Sequence, residues 1–247
     1  MTFIDSLKRN SIFLSLWLAT IVALTIAMCV TDKASLHLAL CDHHSAWADT
    51  VMPVLSDLAN WLPYVIAIGL LIGRWRYGLF VTASLLLSTG LAQAIKHIVR
   101  APRPFTWFAE HHPDISLPLT QGVRMNYWLS FPSGHTTTFF CLFFALCAVY
   151  TYHISTSSMP LADNGNTGKK ISPDINRKIY SVANIAVQLL LFIAAAVCSY
   201  SRIYLNQHFA ADVLGGMIVG VLSVAIVWAV FAAIQLFVRR RAASSRC

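Results

Sequence analysis

The sequence contains few charged residues. Of its 247 residues, only 11% are Asp, Glu, Lys or Arg, whereas 57% are hydrophobic, and the mean hydropathy is +0.64. In soluble globular domains about a quarter of the residues are charged. The composition therefore excludes an ordinary soluble domain and predicts an integral membrane protein in contact with the lipid bilayer.

Acidic residues are particularly scarce. The chain has 10 acidic and 18 basic residues, which gives a net charge of +8. Nucleic-acid-binding proteins also carry such an excess, but here the basic residues form short clusters between apolar runs and no continuous stripe. We therefore expect no nucleic-acid partner, and the rule that cytoplasmic loops are rich in Lys and Arg explains the clusters better.

The six cysteines show neither the close spacing that is typical of metal ligands nor a pattern that suggests disulfide pairs. Cys141, Cys147 and Cys198 lie within apolar runs, and Cys29 lies near the end of one. Buried free cysteines behave as small hydrophobic residues. The sequence thus predicts no metal site, no cofactor and no required disulfide.

Six long apolar runs dominate the chain, and each approaches the roughly 20 residues that a helix needs to cross a bilayer. They cover residues 11–30, 51–73, 78–95, 134–152, 180–200 and 213–238. The first run could also be a signal peptide, but its length favours an uncleaved span. Without internal repeats or a separate soluble region, the pattern predicts one all-α, polytopic membrane domain over residues 1–247, with six transmembrane helices in a bundle.

The segments between the runs are predicted as follows. Residues 31–50 are predicted to form a polar loop, and Arg74 to Tyr77 a tight basic turn. Residues 105–130 are rich in aromatic side chains and could form a short amphipathic element at the headgroup level. A polar link is predicted over 155–178, with a turn at 164–166.

The distribution of Lys and Arg predicts the orientation. If the N-terminus is cytoplasmic, the inner segments hold twelve of these residues and the outer segments six. This bias places both termini in the cytoplasm. Lys96, Arg103 and Arg202 then lie on the extracytoplasmic face, where the same rule disfavours basic residues. We therefore expect these three residues to take part in a reaction there.

A short polar stretch, Phe131 to His135, precedes the fourth run. Ser133 is a good N-cap, and Gly134 allows a ligand to approach the backbone closely. The free N–H groups of the first helical turn suit a phosphate, and His135 beside them can transfer a proton near neutral pH. A capped helix start with a solvated histidine is the alternative interpretation.

His208 and Asp212 are four residues apart, so on a helix they would share one face. Asp212 could then accept a hydrogen bond from one ring nitrogen of His208 and leave the other nitrogen free to attack phosphorus. His135 would act as the general acid that protonates the leaving oxygen. Taken alone, a pair such as His208 and Asp212 is more often a structural contact on a helix than part of a catalytic site.

Three cations complete the predicted site. Lys96, Arg103 and Arg202 match the three non-bridging oxygens of a phosphoryl group, and arginine offers a planar fork for bidentate contact. A single arginine at a membrane surface is more often a lipid-headgroup contact. The combination with two histidines and a carboxylate is harder to explain in that way.

These residues carry a family resemblance. Lys96, six residues and Arg103-Pro104 form a first motif, Pro132-Ser133-Gly134-His135 a second, and Ser201-Arg202, five residues, His208, three residues and Asp212 a third. In this order and spacing, the sequence resembles the type 2 phosphatidic acid phosphatase superfamily of lipid phosphatases. The motif-bearing core covers residues 96–212.

The resemblance implies a metal-independent phosphatase of a bacterial inner membrane that forms a phosphohistidine on His208. It implies phosphate binding by Lys96, Arg103, Ser133, Gly134 and Arg202. The expected substrate is a membrane lipid phosphate, such as undecaprenyl diphosphate, phosphatidylglycerol phosphate or a lipid A phosphate. Arg100 lies outside the motif and could contact a second phosphate or a headgroup, or be a surface charge.

Two other functions are open from the sequence. A lipid-to-lipid phosphotransferase on the same scaffold would use the same motifs. A transporter would need polar residues deep in the spans. The chain has Gln93, Asn184 and Gln188 there, but its charges lie at the span ends, which argues against transport.

Overall fold

Eight helices make up the part of the chain that the computed structural model describes, residues 8–157 and 173–244. They are α1 (Ser11–Val30), α2 (Lys33–Cys41), α3 (Ala46–Gly73), α4 (Trp75–Val99), α5 (Pro104–His111), α6 (Gly134–Ser157), α7 (Pro173–Tyr204) and α8 (Ala210–Ser244). The predicted turn at 164–166 lies outside the described residues.

Six of these helices are long and apolar enough to cross a membrane, namely α1, α3, α4, α6, α7 and α8. This confirms the six-span, all-α prediction. Most of them extend beyond the predicted limits. α3 begins at Ala46, five residues early, because the Ser45 hydroxyl accepts a hydrogen bond from the Ala48 N–H and caps the helix. The predicted basic turn is wrong, since Arg74 alone separates α3 from α4.

The predicted polar loop over residues 31–50 is also wrong in part, because it contains α2. The Asp32 carboxylate accepts hydrogen bonds from the N–H groups of Ala34 and Ser35, both at 3.0 Å, and so caps the helix. His37 and Cys41 are buried on the same face as Ala34. The sequence therefore contained two signs of this helix: an N-cap at Asp32, and buried positions at the helical spacing i, i+3, i+7.

The short helix α5 falls in the region where an amphipathic element was expected. Pro104 occupies its first turn, where a missing N–H costs nothing. Phe108 is buried against Phe209, at a ring separation of 6.5 Å. This contact attaches the segment after α4 to the start of α8.

α6 is the central helix, packed against α4, α7 and α8, and most of its span is buried. Its phenylalanines fill the core, with Phe140 and Phe144 against Phe13 of α1. By contrast, large apolar side chains of α1 and α3, such as Leu18 and Ile72, are exposed. Exposed apolar faces on an assembly of long helices are what a bilayer would cover.

Glycines let α8 approach α6 closely. A Cβ on Gly216 would lie 2.7 Å from the Ser133 carbonyl oxygen, and a Cβ on Gly220 would lie 2.7 Å from the Thr137 carbonyl oxygen. Neither helix could keep this distance with a larger residue there. Small residues at helix interfaces in membrane proteins allow this kind of close approach.

Candidate active site

The three sequence motifs meet at one end of the helix bundle. They lie at and just after the end of α4, at the start of α6, and across the end of α7 and the start of α8. The Ser133 N–H donates to the Asp212 carbonyl at 2.9 Å, which joins the second motif to the third. Asn10, directly before α1, contacts Cys147 and Thr151 near the far end of α6, so the start of α1 lies at the opposite end of the bundle.

Lys96 occupies the last turn of α4 and is 6% exposed. Its Nζ donates to the Leu129 carbonyl at 2.5 Å. Leu129 has a φ of 61°, a conformation that residues with a Cβ rarely adopt and that needs support from its surroundings. The Lys96 Cε also lies 3.7 Å from where a Cβ on Gly134 would be. The structure thus brings the first motif next to the second.

Arg103 and Arg202 are also buried, although both carry a charge. Arg103 Nε donates to the Trp128 carbonyl at 3.0 Å. Arg202 Nη1 donates to Ser56 Oγ of α3, and its Nε has no hydrogen-bond partner. A guanidinium with an unused, buried donor can still bind an anion oxygen.

Gln207 links the two arginines and was not predicted as a site residue. Its Oε1 accepts from Arg103 Nη1 at 3.0 Å and lies 3.5 Å from Arg202 Nη2. Its Nε2 donates to the Arg124 carbonyl at 3.2 Å. Nothing in the sequence indicates this role except the position of Gln207 directly before His208.

His208 does not lie on a helix with Asp212, which corrects the predicted helical pair. The chain leaves α7 at Tyr204 and passes through a turn in which Asn206 has a φ of 53°. Asparagine tolerates this left-handed conformation. α8 begins only at Ala210, so His208 stands in the link and Asp212 in the first turn of the helix.

The two side chains lie side by side, but the hydrogen bond that the sequence predicted between them is not formed. His208 Nδ1 lies 3.5 Å from Asp212 Oδ2, an ion-pair distance, and has no hydrogen-bond partner. Asp212 Oδ2 instead accepts from Ser130 Oγ at 2.5 Å and from the Phe209 N–H at 2.9 Å. Ser130 therefore helps to fix the carboxylate, a role that sequence reasoning missed.

Ser133 and His135 flank Gly134 at the start of α6. Ser133 Oγ accepts from the Thr136 N–H at 3.4 Å and from Thr136 Oγ1 at 3.0 Å, as expected of an N-cap. His135 is half-buried, and the charges of Arg202 and Arg103 act on it. All eight predicted site residues therefore belong to one cluster.

The cluster carries an excess of positive charge. Three buried cations face a single buried carboxylate, Asp212. Buried cations are costly unless they are paired, so the arrangement favours a bound anion. Burial lowers the pKa of Arg103, and burial together with the charges of Arg103 and Arg202 holds the pKa of His208 well below its usual value. His208 is therefore a neutral nitrogen base within a cationic environment.

No metal-binding arrangement accompanies this cluster. Within residues 8–157 and 173–244, no three His, Cys, Asp or Glu side chains are grouped so that they could hold a metal ion. The groups at the site that can bind an anion are the cations, the Ser133 hydroxyl and the backbone N–H groups of α6.

Solved structures share this fold. The crystal structure of Aquifex aeolicus LpxE matches with a TM-score of 0.57 at 20% identity, over 80% of this chain and 95% of that one. The crystal structure of a transmembrane PAP2-type phosphatidylglycerolphosphate phosphatase from Bacillus subtilis matches with a TM-score of 0.52 at 22% identity, over 92% of this chain and 98% of that one. At this level of identity the likeness concerns the fold alone.

Curated protein sequences include no match to the chain. The family model of the PAP2 superfamily, however, matches residues 77–235, which contain all three motifs and all or most of each helix from α4 to α8. This is more than half of the sequence. The chain therefore belongs to the PAP2 superfamily.

Proposed function

We propose that this protein hydrolyses a phosphate monoester or diphosphate on a membrane lipid, without a metal ion, through a phosphohistidine on His208. Its family and fold support phosphatase activity on a lipid phosphate in a bilayer. The observation that carries the proposal is His208 itself. It is 1% exposed, stands among three cations and has one ring nitrogen directed at Asp212.

In the first half-reaction, Nε2 of neutral His208 attacks phosphorus. An N–P bond forms and the bond to the lipid oxygen breaks, while His135 donates a proton to that oxygen. Lys96, Arg103 and Arg202 stabilise the charge on the three non-bridging oxygens, together with Ser133 and the N–H groups near Gly134. Asp212 stabilises the positive charge that develops on the imidazole.

In the second half-reaction, water attacks the phosphohistidine. His135 now accepts a proton from the water, the N–P bond breaks, and inorganic phosphate leaves. Since three permanent cations already face the phosphoryl group, this scheme requires no metal ion. A phosphotransferase would differ only in that a lipid hydroxyl or phosphate replaces the water.

The orientation belongs to the same proposal. With the termini in the cytoplasm, the site at the other end of the bundle would face the periplasm or exterior, in a bacterial inner membrane. A lipid phosphate could then reach the site while its tails remain in the outer leaflet. The whole of residues 1–247 would form one membrane-embedded domain around the core at 96–212.

The test is a panel of lipid phosphates in detergent with a chelator present, measured as release of inorganic phosphate. The wild-type protein should release phosphate from a purified lipid without an acceptor lipid, and His208→Ala should release none. Mass spectrometry of the wild-type protein quenched at high pH should show a phosphoryl group on the peptide that contains His208. Loss of activity in chelator would contradict metal independence, and a requirement for a second lipid would indicate the transferase.

A matched control uses His97, an exposed histidine in the last turn of α4. His97→Ala should keep full activity and the same yield of folded protein as His208→Ala. Equal activity in His208→Ala and His97→Ala would rule out the proposed nucleophile.

A further inference from the structure

A pocket of about 160 Å³ lies beside the catalytic cluster, between the end of α1, the helix α2 and the start of α8. Its wall includes Leu36, His37 and Lys33 on one side and Phe209 and Ala210 on the other. Phe209, which lines the pocket, directly follows His208 of the proposed phosphate site, so the two sites are adjacent. Three of its lining residues, Phe209 to Ala211, fill the variable positions between His208 and Asp212 in the third motif, and the others lie outside the motifs.

Lys33 supplies a cation at this pocket. Its Nζ lies 4.3 Å from the centre of the Trp107 ring and 3.9 Å from that of the Phe209 ring, which are cation–π distances. The Lys33 side chain is exposed, and no carboxylate of the described residues pairs with it. The ammonium group is therefore held near the pocket and available to an anionic oxygen.

His37 supplies a hydrogen-bond acceptor that has no partner. The side chain is 1% exposed, and its Nε2 lies 2.8 Å from Asn206 Oδ1. Asn206 Nδ2 donates to the Pro118 carbonyl at 2.6 Å, so Asn206 Oδ1 is an acceptor and His37 Nε2 carries the hydrogen. Burial lowers the pKa of His37 and keeps the ring neutral. Nδ1 is then a buried acceptor without a donor.

We propose that this pocket binds the part of the lipid head group beyond the scissile phosphate, and that this part carries both an anionic oxygen and a hydroxyl. The anionic oxygen contacts Lys33 and the hydroxyl donates to His37 Nδ1. This inference rests on the proposed function, since it assigns the head group of the same substrate.

The size and lining of the pocket agree with this assignment. A cavity of about 150 Å³ can hold benzene, which has six heavy atoms, so this volume accommodates a glycerol-sized unit. Leu36 and Ala210 offer apolar surface for its C–H groups. Ala210 and Ala211 stand in the first turn of α8, where free N–H groups also favour an anion.

A substrate preference follows. A lipid whose head group is a phosphorylated glycerol has a hydroxyl and an inner phosphodiester, and so meets both requirements. A prenyl diphosphate has no hydroxyl and leaves His37 Nδ1 unpaired. Sites that are built to hydrogen-bond a hydroxyl discriminate against analogues that lack it, so the first class should be preferred.

The experiment compares three substrates in mixed micelles: phosphatidylglycerol phosphate, its analogue without the glycerol hydroxyl, and undecaprenyl diphosphate. For the wild-type protein we expect kcat/KM to be at least about tenfold higher for the first than for either of the others. Lys33→Met should reduce kcat/KM for phosphatidylglycerol phosphate about tenfold and bring it near that for the prenyl diphosphate. His37→Phe, which keeps an aromatic ring, should remove the discrimination against the deoxy analogue.

Arg100→Met is the matched control, because Arg100 is an exposed cation at the same end of the bundle whose Nε donates to the His97 carbonyl. It should leave the preference unchanged. Equal kcat/KM for the hydroxyl and deoxy substrates in the wild-type protein would overturn the proposal, even if His37→Phe does not fold. A loss in Arg100→Met equal to that in Lys33→Met would assign the anion contact elsewhere.

The same data separate the two proposals. If His208→Ala abolishes hydrolysis but the three substrates react equally, the head-group site is wrong and the phosphatase proposal stands. If the wild-type protein releases no phosphate from any lipid, both are overturned.

Discussion

Gln207 Oε1 accepts a hydrogen bond from Arg103 Nη1 at 3.0 Å, and Arg202 Nη2 lies 3.5 Å from the same oxygen. Both guanidinium groups thus contact the same amide oxygen. Arg103 Nη1 also donates to the Gln207 backbone carbonyl at 3.2 Å. Because His208 follows in the chain, one residue sets the positions of both arginines relative to the proposed nucleophile.

This contact makes Gln207 a positioning residue for the proposed reaction. Gln207→Ala should lower kcat/KM about 10- to 100-fold, because two cations that are displaced by about 1 Å no longer match the transition state. It should also weaken inhibition by vanadate, which measures the anion site directly. Gln93→Ala, at an exposed glutamine of α4, should change neither quantity. Unchanged vanadate inhibition in Gln207→Ala would contradict the role.

The contact between α6 and α8 should control both stability and activity. Gly216→Ala places a Cβ 2.7 Å from the Ser133 carbonyl oxygen, so the helices must separate. Overpacking of this kind costs about 1–3 kcal/mol, and it also moves Ser133 away from the phosphate. We expect a lower melting temperature and a lower kcat.

Gly90 is the matched control for that substitution, since a Cβ there meets nothing within 4 Å. Gly90→Ala should be neutral or stabilising by up to about 1 kcal/mol, because alanine is the better helix former. Equal melting temperatures for the two variants in detergent would argue against the close contact.

The surroundings of His208 predict how activity depends on pH. A nucleophilic imidazole must be neutral, and burial with the nearby cations holds the pKa of His208 well below about 6.5. Protonation of His208 should therefore not reduce kcat/KM as the pH falls from 7.5 to 6. In Arg103→Gln, one of these cations is missing, the pKa of His208 rises, and the acid limb of the pH–rate profile should move to higher pH.

The comparison of the two profiles is the measurement. A wild-type acid limb near pH 6.5 that does not move in Arg103→Gln would mean that Arg103 does not act on His208. The variant Arg124→Gln, at an exposed arginine, should keep the wild-type profile.

The orientation of the site can be tested by labelling. Ser35 is exposed on α2, which forms one wall of the pocket beside the catalytic cluster. Lys8 precedes α1 and so lies at the other end of the bundle. In a background without the exposed Cys29, Ser35→Cys should react with a membrane-impermeant maleimide in intact spheroplasts. Lys8→Cys should react only after permeabilisation. The reverse pattern would place the site in the cytoplasm.

Local sequence patterns were sufficient to predict the six membrane-spanning helices, although not the residues at which most of them begin and end. An apolar run of about 20 residues has few alternatives to a membrane helix, and α1 matches its predicted range of 11–30. α2 escaped prediction because its polar residues conceal a short buried face formed by Ala34, His37 and Cys41. The N-cap at Asp32 and the spacing of these three residues were visible in the sequence, but only the tertiary structure shows that the face is buried.

The sequence by itself determined the six membrane helices and the residues of the three motifs, because hydrophobic length and motif spacing are local properties of the chain. Only the tertiary structure decided that His208 leaves the helix, that Gln207 joins Arg103 to Arg202, and that His37 keeps an unpaired nitrogen beside Lys33. These relationships connect residues far apart in the chain. Their distances depend on how closely the helices pack, and no local pattern records that.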